Sequence, residues 1–253
     1  EVTRKYAKSW FDSYYIESSD GMQGRIKWIS GTNVDPLVTV SEGIGYGMLI
    51  ALMAVRASSA NDPFKIKFDK LWAFYQANED NKGLMNWKTS GFGSTSTSAA
   101  TTVGSGSAPD ADMDVAKALI LAFEKFKDPK YLAAARALMW RIWNYEIMYV
   151  STSAGFKYLV APGDSWTSYC NPSYAAKLPA MKLFAMYDDN ATHNWAQAYL
   201  DNIWQLQQNQ AATIASGGYG LPSNWCGYNG EVVNGSSTPG YGWDACRVPI
   251  HLS

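Results

Sequence analysis

Hydrophobic residues along this chain recur mainly at three- and four-residue spacing. From Val2 to Ile16, Tyr6, Trp10, Phe11, Tyr14 and Tyr15 form the stripe of an amphipathic helix, which Ser18-Ser19-Asp20-Gly21 ends. A second helix is predicted from Ser41 through Met48, Leu49, Leu52, Met53 and Val55 to Ala57. A third follows Asp62-Pro63, with Phe64, Phe68, Leu71, Trp72 and Tyr75 on one side. Asp112 to Phe126 places Ala116, Leu119, Ile120 and Phe123 together. Asp128-Pro129 then opens another helix in the favoured order of capping residue and first-turn proline, with Leu132, Leu138, Ile142 and Ile147 as its stripe. Helical patterns continue from Ser173 to Tyr187 and from Thr192 to Gln208, and a last one begins near Asp244. Strand-like signals are short and sit in loops, at Phe156 to Val160 and Gly230 to Val233. About eight helices without a run of alternating strands predict an all-α architecture of helix hairpins.

The stretch 89–107 is dominated by Gly, Ser, Thr and Ala, a linker composition. Helical segments of the same apolar character flank it directly, so it reads as a long loop within a single domain, 1–253. Long connections of this kind usually carry function.

Hydrophobic residues make up 47% of the chain and charged residues 17%, enough to build a sizeable core. Lys+Arg 21 against Asp+Glu 22 gives a net charge of −1, which offers no footprint for nucleic acid or an anionic membrane. The longest apolar run, Met48 to Val55, is far too short to span a bilayer. Glu1-Val2-Thr3-Arg4 has no apolar signal core, so an exported protein would be represented here in its mature form. Three cysteines allow one disulfide at most. Cys170 and Cys226 lie in loops that can converge, and Cys246 is expected as a buried thiol. Neither His193, expected on a helix surface, nor His251 sits in a motif pairing it with a nucleophile. Serine or cysteine hydrolysis is therefore poorly supplied. Asn190-Ala191-Thr192 and Asn234-Gly235-Ser236 fit glycosylation sequons.

Three acids stand at loop–helix junctions beside glycine or aromatic residues. Glu42 lies in Val40-Ser41-Glu42-Gly43-Ile44-Gly45-Tyr46-Gly47-Met48, where three glycines in a helical pattern imply close approach of backbone or ligand. Asp110 lies in Ala108-Pro109-Asp110-Ala111-Asp112-Met113-Asp114, and Asp244 in Tyr241-Gly242-Trp243-Asp244-Ala245-Cys246-Arg247. Helix capping accounts for any one such acid taken alone, and Asp112 and Asp114 are assigned to capping or structural hydrogen bonds. The Asp110–Asp114 run lacks the later glycine and glutamate of a calcium loop, so no metal and no cofactor is assigned. What distinguishes Glu42, Asp110 and Asp244 is their company: Tyr46, Trp87, Trp166, Tyr174, Trp225 and Trp243 fall in or beside polar loops. Aromatic faces there suit the apolar faces of sugar rings. Paired carboxylates in an aromatic-lined cleft suit glycoside hydrolysis.

The Glu42 and Asp110 blocks resemble the two signature blocks of glycoside hydrolase family 8, also called cellulase family D. Gly83-Leu84-Met85-Asn86-Trp87, Pro162-Gly163-Asp164-Ser165-Trp166, Asn171-Pro172-Ser173-Tyr174 and Trp243-Asp244-Ala245-Cys246-Arg247 resemble further blocks in the same order. The resemblance spans essentially the whole chain. It implies an (α/α)6 barrel and an inverting, endo-acting hydrolysis of β-1,4-linked polysaccharide, with Glu42 as general acid and Asp244 as general base. Asp110 then holds the sugar distorted at the cleavage subsite, and Tyr174 stands near the attacking water. Trp87, Trp166 and Trp243 are aromatic subsites, and Arg247 orients the substrate or the base. Pro109 replaces a common Thr, and Trp243 a common Tyr or Phe. The mechanism requires Glu42 protonated against the pull of a helix N-terminus, so burial and an ionised Asp110 must raise its pKa. It also requires roughly 6.5–9.5 Å between the Glu42 and Asp244 carboxyls, with Asp110 nearer to Glu42.

These features predict a secreted, extracellular endo-β-1,4-glucanase acting on cellulose or soluble β-glucan. Xylanase, mixed-linkage glucanase and chitosanase are alternatives within the family, and a non-catalytic glucan-binding module is the alternative from another class. An (α/α)6 barrel has twelve helices, so the closing C-terminal helices are expected to be absent from this chain. A separate C-terminal segment would then complete the barrel, in an otherwise monomeric protein.

Overall fold

A computed structural model describes residues 1–30, 33–35, 37–56, 61–92, 100–233 and 240–252. The chain divides into two compact units, Glu1–Leu138 and Met139–Ser253.

In the first unit, α1 (Val2–Tyr14), α2 (Ser41–Ala54), α3 (Pro63–Ala77) and α4 (Pro109–Phe126) are followed by α5 (Pro129–Glu146), within which the boundary falls. The central element is α2, which packs against α1, α3 and α4. It is apolar nearly all round, as a helix covered on several sides must be; Ile44, Met48 and Ala51 have no exposed surface. Helix α3 starts where Asp62 accepts the Phe64 N–H and Pro63 fills the first turn. Helix α4 ends at Lys127 in the left-handed region (φ 57°), after Lys125 has reached across to the Leu52 carbonyl at 2.7 Å. The strands of this unit are three or four residues long: β1 (Tyr15–Glu17), β2 (Gly24–Ile26), β3 (Trp28–Ser30), β4 (Asn33–Asp35), β5 (Val38–Val40), β6 (Lys88–Ser90) and β7 (Thr101–Gly104). They pair as β1–β2, β3–β4 and an antiparallel β5–β6–β7 sheet. That sheet takes in residues 89–90 and 101–104 of the Gly/Ser/Thr loop, while 93–99 lie outside the described residues.

In the second unit, β8 (Ile147–Thr152) and β9 (Gly155–Val160) form a hairpin in register from Ile147↔Val160 to Thr152↔Gly155. Then come α6 (Pro172–Ala175), α7 (Leu178–Tyr187) and α8 (Trp195–Ala215), a 3₁₀ turn at Ala245–Arg247, and α9 (Val248–His251). Helix α8 carries a buried polar stripe, Asp201, Asn202, Gln205 and Asn209. Asp201 accepts the Tyr158 N–H at 2.9 Å, and Asn202 donates to the Tyr158 carbonyl at 3.1 Å. Asn209 donates to Ser223 and to the Gly230 carbonyl. Asp201, Asn202 and Asn209 thus satisfy backbone groups that a packed hairpin and loop would otherwise bury unpaired.

Helices predominate, as the periodicity implies, but several details differ from expectation. Antiparallel strands are present among the described residues: the Phe156–Val160 signal becomes β9, Ile147 begins β8 rather than closing the α5 stripe, and the three- and four-residue strands of the first unit are too brief for alternation to announce them. The Val2–Ile16 pattern stops at Tyr14, where the chain turns into β1. The Ser173–Tyr187 pattern is interrupted at Ala176–Lys177, ahead of Pro179. His193 is not on a helix surface: it is buried before α8, its Nδ1 2.8 Å from Asp188 Oδ2 and its ring stacked on Trp143. Asp188 also accepts the Trp195 indole N–H at 2.6 Å. Cys246, expected buried, is exposed, because the turn carrying it is a single 3₁₀ turn at the surface. Cys170 and Cys226 do converge, as an antiparallel bridge whose N–H groups donate to each other's carbonyls at 2.8 and 2.9 Å. Both are buried free thiols. The Asn234 sequon lies outside the described residues, and Asn190 uses its side chain to cap Thr192 and to meet His193.

Candidate active site

Glu42 and Asp110 each occupy the first turn of a helix, α2 and α4 respectively. The sequence pattern would start α4 at Asp112, but the helix begins at Pro109, which brings Asp110 into the first turn. The two helices are drawn together at Gly45: a Cβ placed there would lie 2.9 Å from Asp114 Cβ and 3.3 Å from the Ala111 carbonyl oxygen. That approach sets a carboxylate oxygen of Glu42 within 4.8 Å of one of Asp110. Asp110 is 1% exposed, and Asp112 and Asp114 are buried with it. Asp112 takes the structural role expected of it, accepting a very short hydrogen bond from the Tyr75 hydroxyl. Tyr46, one helical turn after Glu42, donates to Glu42 Oε1 at 2.8 Å. Burial, with Glu42, Asp110 and Asp114 around it, pushes the Tyr46 phenol far above its ordinary range.

Trp87 is tied to the start of α2, since its carbonyl accepts the Ser41 N–H at 3.0 Å. Its indole is 42% exposed and lies over Gly104, where any Cβ would come within 2.5 Å of the ring. Lys88 reaches over the rings of both Trp28 and Trp87.

The second unit positions the remaining predicted residues. Asp244 precedes the 3₁₀ turn and forms a very short ion pair with Arg247 three residues on. The Arg247 guanidinium lies 5.9 Å from the centre of the Tyr174 ring, which is buried in α6. Trp166 packs against Trp225 with ring centres 4.8 Å apart and edge-on to Tyr169. Trp243 stands 81% exposed. Two positioning groups were missed by the sequence reading. Asn224, buried, accepts the Ala245 N–H at 2.9 Å, and Gly242 leaves room for it, since a Cβ there would meet Asn224 Nδ2 at 2.6 Å. His251 donates through Nδ1 to the Ser173 carbonyl at 2.7 Å, docking α9 on α6 beside Tyr174. No local pattern marks either residue; the nearest signal was the Asn-Trp-Cys-Gly run around Trp225.

Among the described residues no helix is long and apolar enough to cross a membrane.

The family model for glycosyl hydrolases family 8 matches residues 4–253. Endoglucanase A of Acetivibrio thermocellus is 31% identical over 256 aligned residues, covering 98% of this chain and 48% of that protein. Endoglucanase 2 of Ruminiclostridium josui is 30% identical over 91% of this chain and 45% of its own length. The chain therefore spans about half the length of these curated relatives. Among solved structures, a cold-adapted family 8 xylanase superposes with a TM-score of 0.76 at 21% identity, over 98% of this chain and 64% of that one. A β-1,3-1,4-glucanase from Paenibacillus sp. X4 gives 0.74 at 23% identity, over 99% and 65%. These likenesses place the chain in the (α/α)6-barrel fold class. With the family profile matched from residue 4 onward and the Glu42, Asp110 and Asp244 motifs all in place, this chain belongs to family 8 of the glycosyl hydrolases.

Proposed function

We propose that residues 1–253 work as one catalytic domain and hydrolyse β-1,4-linked glucan, cellulose or a soluble β-glucan, from within the polymer and with inversion. The observation that carries this reading is the pair of first-turn acids, Glu42 and Asp110, fixed on two helices in close contact within a family 8 chain. In the reaction Glu42 gives its proton to the glycosidic oxygen as the bond from that oxygen to the anomeric carbon breaks. Water attacks the opposite face of that carbon and surrenders a proton to Asp244. An ionised Asp110 beside Glu42 disfavours a second negative charge, which keeps the acid protonated. Arg247 pairs with Asp244 and orients it. Trp87, Trp166 and Trp243 supply ring faces for glucose units, and Tyr174 the wall near the attacking water. A polymer too large to enter a cell implies that the enzyme acts outside it.

The deciding experiment is reducing-end release from carboxymethyl cellulose, mixed-linkage β-glucan, xylan and chitosan, with the product anomer followed by NMR. The expected result is α-anomer released first from the β-glucans. Binding without release would establish a carbohydrate-binding module instead, and release of β-anomer would overturn inversion. Dominant turnover of xylan or chitosan would move the chain to the corresponding family alternative.

A further inference from the structure

Tyr46 entered the sequence analysis as one of several aromatics flanking polar loops, and a ring-stacking role would suit that company. The structure turns its hydroxyl elsewhere. Tyr46 lies four residues after Glu42 on α2, a spacing that puts both side chains on one helical face, and it donates to Glu42 Oε1 at 2.8 Å. The seat for this pair is rigid. Gly45, between them, is pressed against Asp114 and Ala111 of α4, so α2 cannot slide or rotate without moving the Asp110 turn as well.

We infer that Tyr46 is the positioning residue of the acid: it holds Glu42 by Oε1 and stabilises the carboxylate that proton delivery creates. The inference rests on the assignment of Glu42 as the acid and adds to it the device that aims it. In the step itself the proton leaves Glu42 for the glycosidic oxygen, which also takes the electron pair of the breaking bond to the anomeric carbon. Glu42 is left anionic. A hydrogen bond to an ionised acceptor is roughly twice as strong as one to a neutral acceptor. The Tyr46 bond therefore strengthens as the reaction proceeds, which is the condition for lowering the barrier rather than merely binding substrate. For this to work Tyr46 must stay a donor throughout. Burial and its three carboxylate neighbours, Glu42, Asp110 and Asp114, ensure that it keeps its proton. A phenylalanine would fill the same space and lose only the hydroxyl.

The test compares wild type and Tyr46→Phe, in the intact protein, on cellohexaose and on a dinitrophenyl β-cellobioside, whose leaving group departs without protonation. Rates are normalised to folded protein, measured by near-ultraviolet circular dichroism. The expected result is a fall in kcat on cellohexaose of about tenfold or more, with KM within about twofold. On the aryl glycoside the loss should be under about threefold. Equal losses on both substrates would reduce Tyr46 to a packing residue, and no loss on cellohexaose would remove it from the mechanism; either result overturns the inference. If the wild type cleaves both substrates but Tyr46→Phe shows no such split, the inference fails here alone. One that cleaves neither substrate fails at the enzymatic assignment itself.

Discussion

Glu42 and Asp244 are carried by two different kinds of support. Glu42 stands on a central helix that is apolar on nearly every side and locked to its neighbour at a glycine. Asp244 stands at the edge of a single 3₁₀ turn, with the exposed Trp243 before it and the exposed Cys246 after it, and is held by Arg247 and by the Asn224–Ala245 hydrogen bond. The first arrangement is maintained by packing, which resists displacement because interiors are dense. The second is maintained by a few polar bonds, each worth about 1 kcal/mol net. On the proposed assignment of Glu42 as proton donor and Asp244 as base, the difference suits the two tasks. A proton donor must meet one oxygen at one angle, whereas a base that works through water has the water molecule to absorb small errors of position.

Substitutions can break this contrast at graded cost. The largest expected effect is from Glu42→Gln, which keeps the shape and removes the proton: kcat on β-glucan should fall by about three orders of magnitude or more, with oligosaccharide binding by calorimetry largely retained. Substantial residual turnover would deny Glu42 the role of acid. Next is the helix contact. Gly45→Ala gains about 1 kcal/mol of helix propensity but forces a Cβ to 2.9 Å from Asp114 Cβ, an overpacking cost of about 1–3 kcal/mol. Gly43→Ala on the same helix gains the same propensity and meets only Ile26 at 3.4 Å. Thermal melts should show Gly43→Ala neutral or stabilising and Gly45→Ala destabilising, with activity lost only in the latter; matching melts for the two would discard the close-approach argument.

On the other support, Asn224→Ala should lower kcat/KM by about tenfold by loosening the Asp244 turn, and should cost about 1–2 kcal/mol of stability. Unchanged kinetics would show that Arg247 alone suffices. The smallest effect is chemical. Burial pushes the Cys170 thiol up to about 12 and raises Cys226 as well, so at pH 8 both remain protonated and unreactive. A thiol reagent should label one site in the native protein, Cys246, and three after denaturation. Only one label after denaturation would reveal a disulfide. Because the folded-state value of Cys170 is raised, its contribution to stability is full below the ordinary thiol value of 9.0 and is lost as pH rises toward about 12.

The helices of the first unit were legible because each carries its own local signature: the Asp62-Pro63 and Asp128-Pro129 starts, and the Phe64–Phe68–Leu71–Tyr75 stripe, whose members are all buried. Strands of three residues carry no such period, and α8 inverts the usual code, burying Asp201, Asn202 and Asn209 because a hairpin and a loop need partners for their backbone groups. His193 misled for the same reason, since nothing beside it in sequence announces that Trp143 and Asp188 will enclose it.

The sequence by itself determined the helical class, the family, and which acids were candidates, because periodicity and short motifs are properties of neighbouring residues. The tertiary structure alone decided how those acids are held. It set Glu42 beside Asp110 by closing two helices at Gly45, and recruited Asn224 to the Asp244 turn. Each of these depends on residues more than ten positions apart meeting at van der Waals or hydrogen-bond distance, and such meetings are settled by packing rather than by local order.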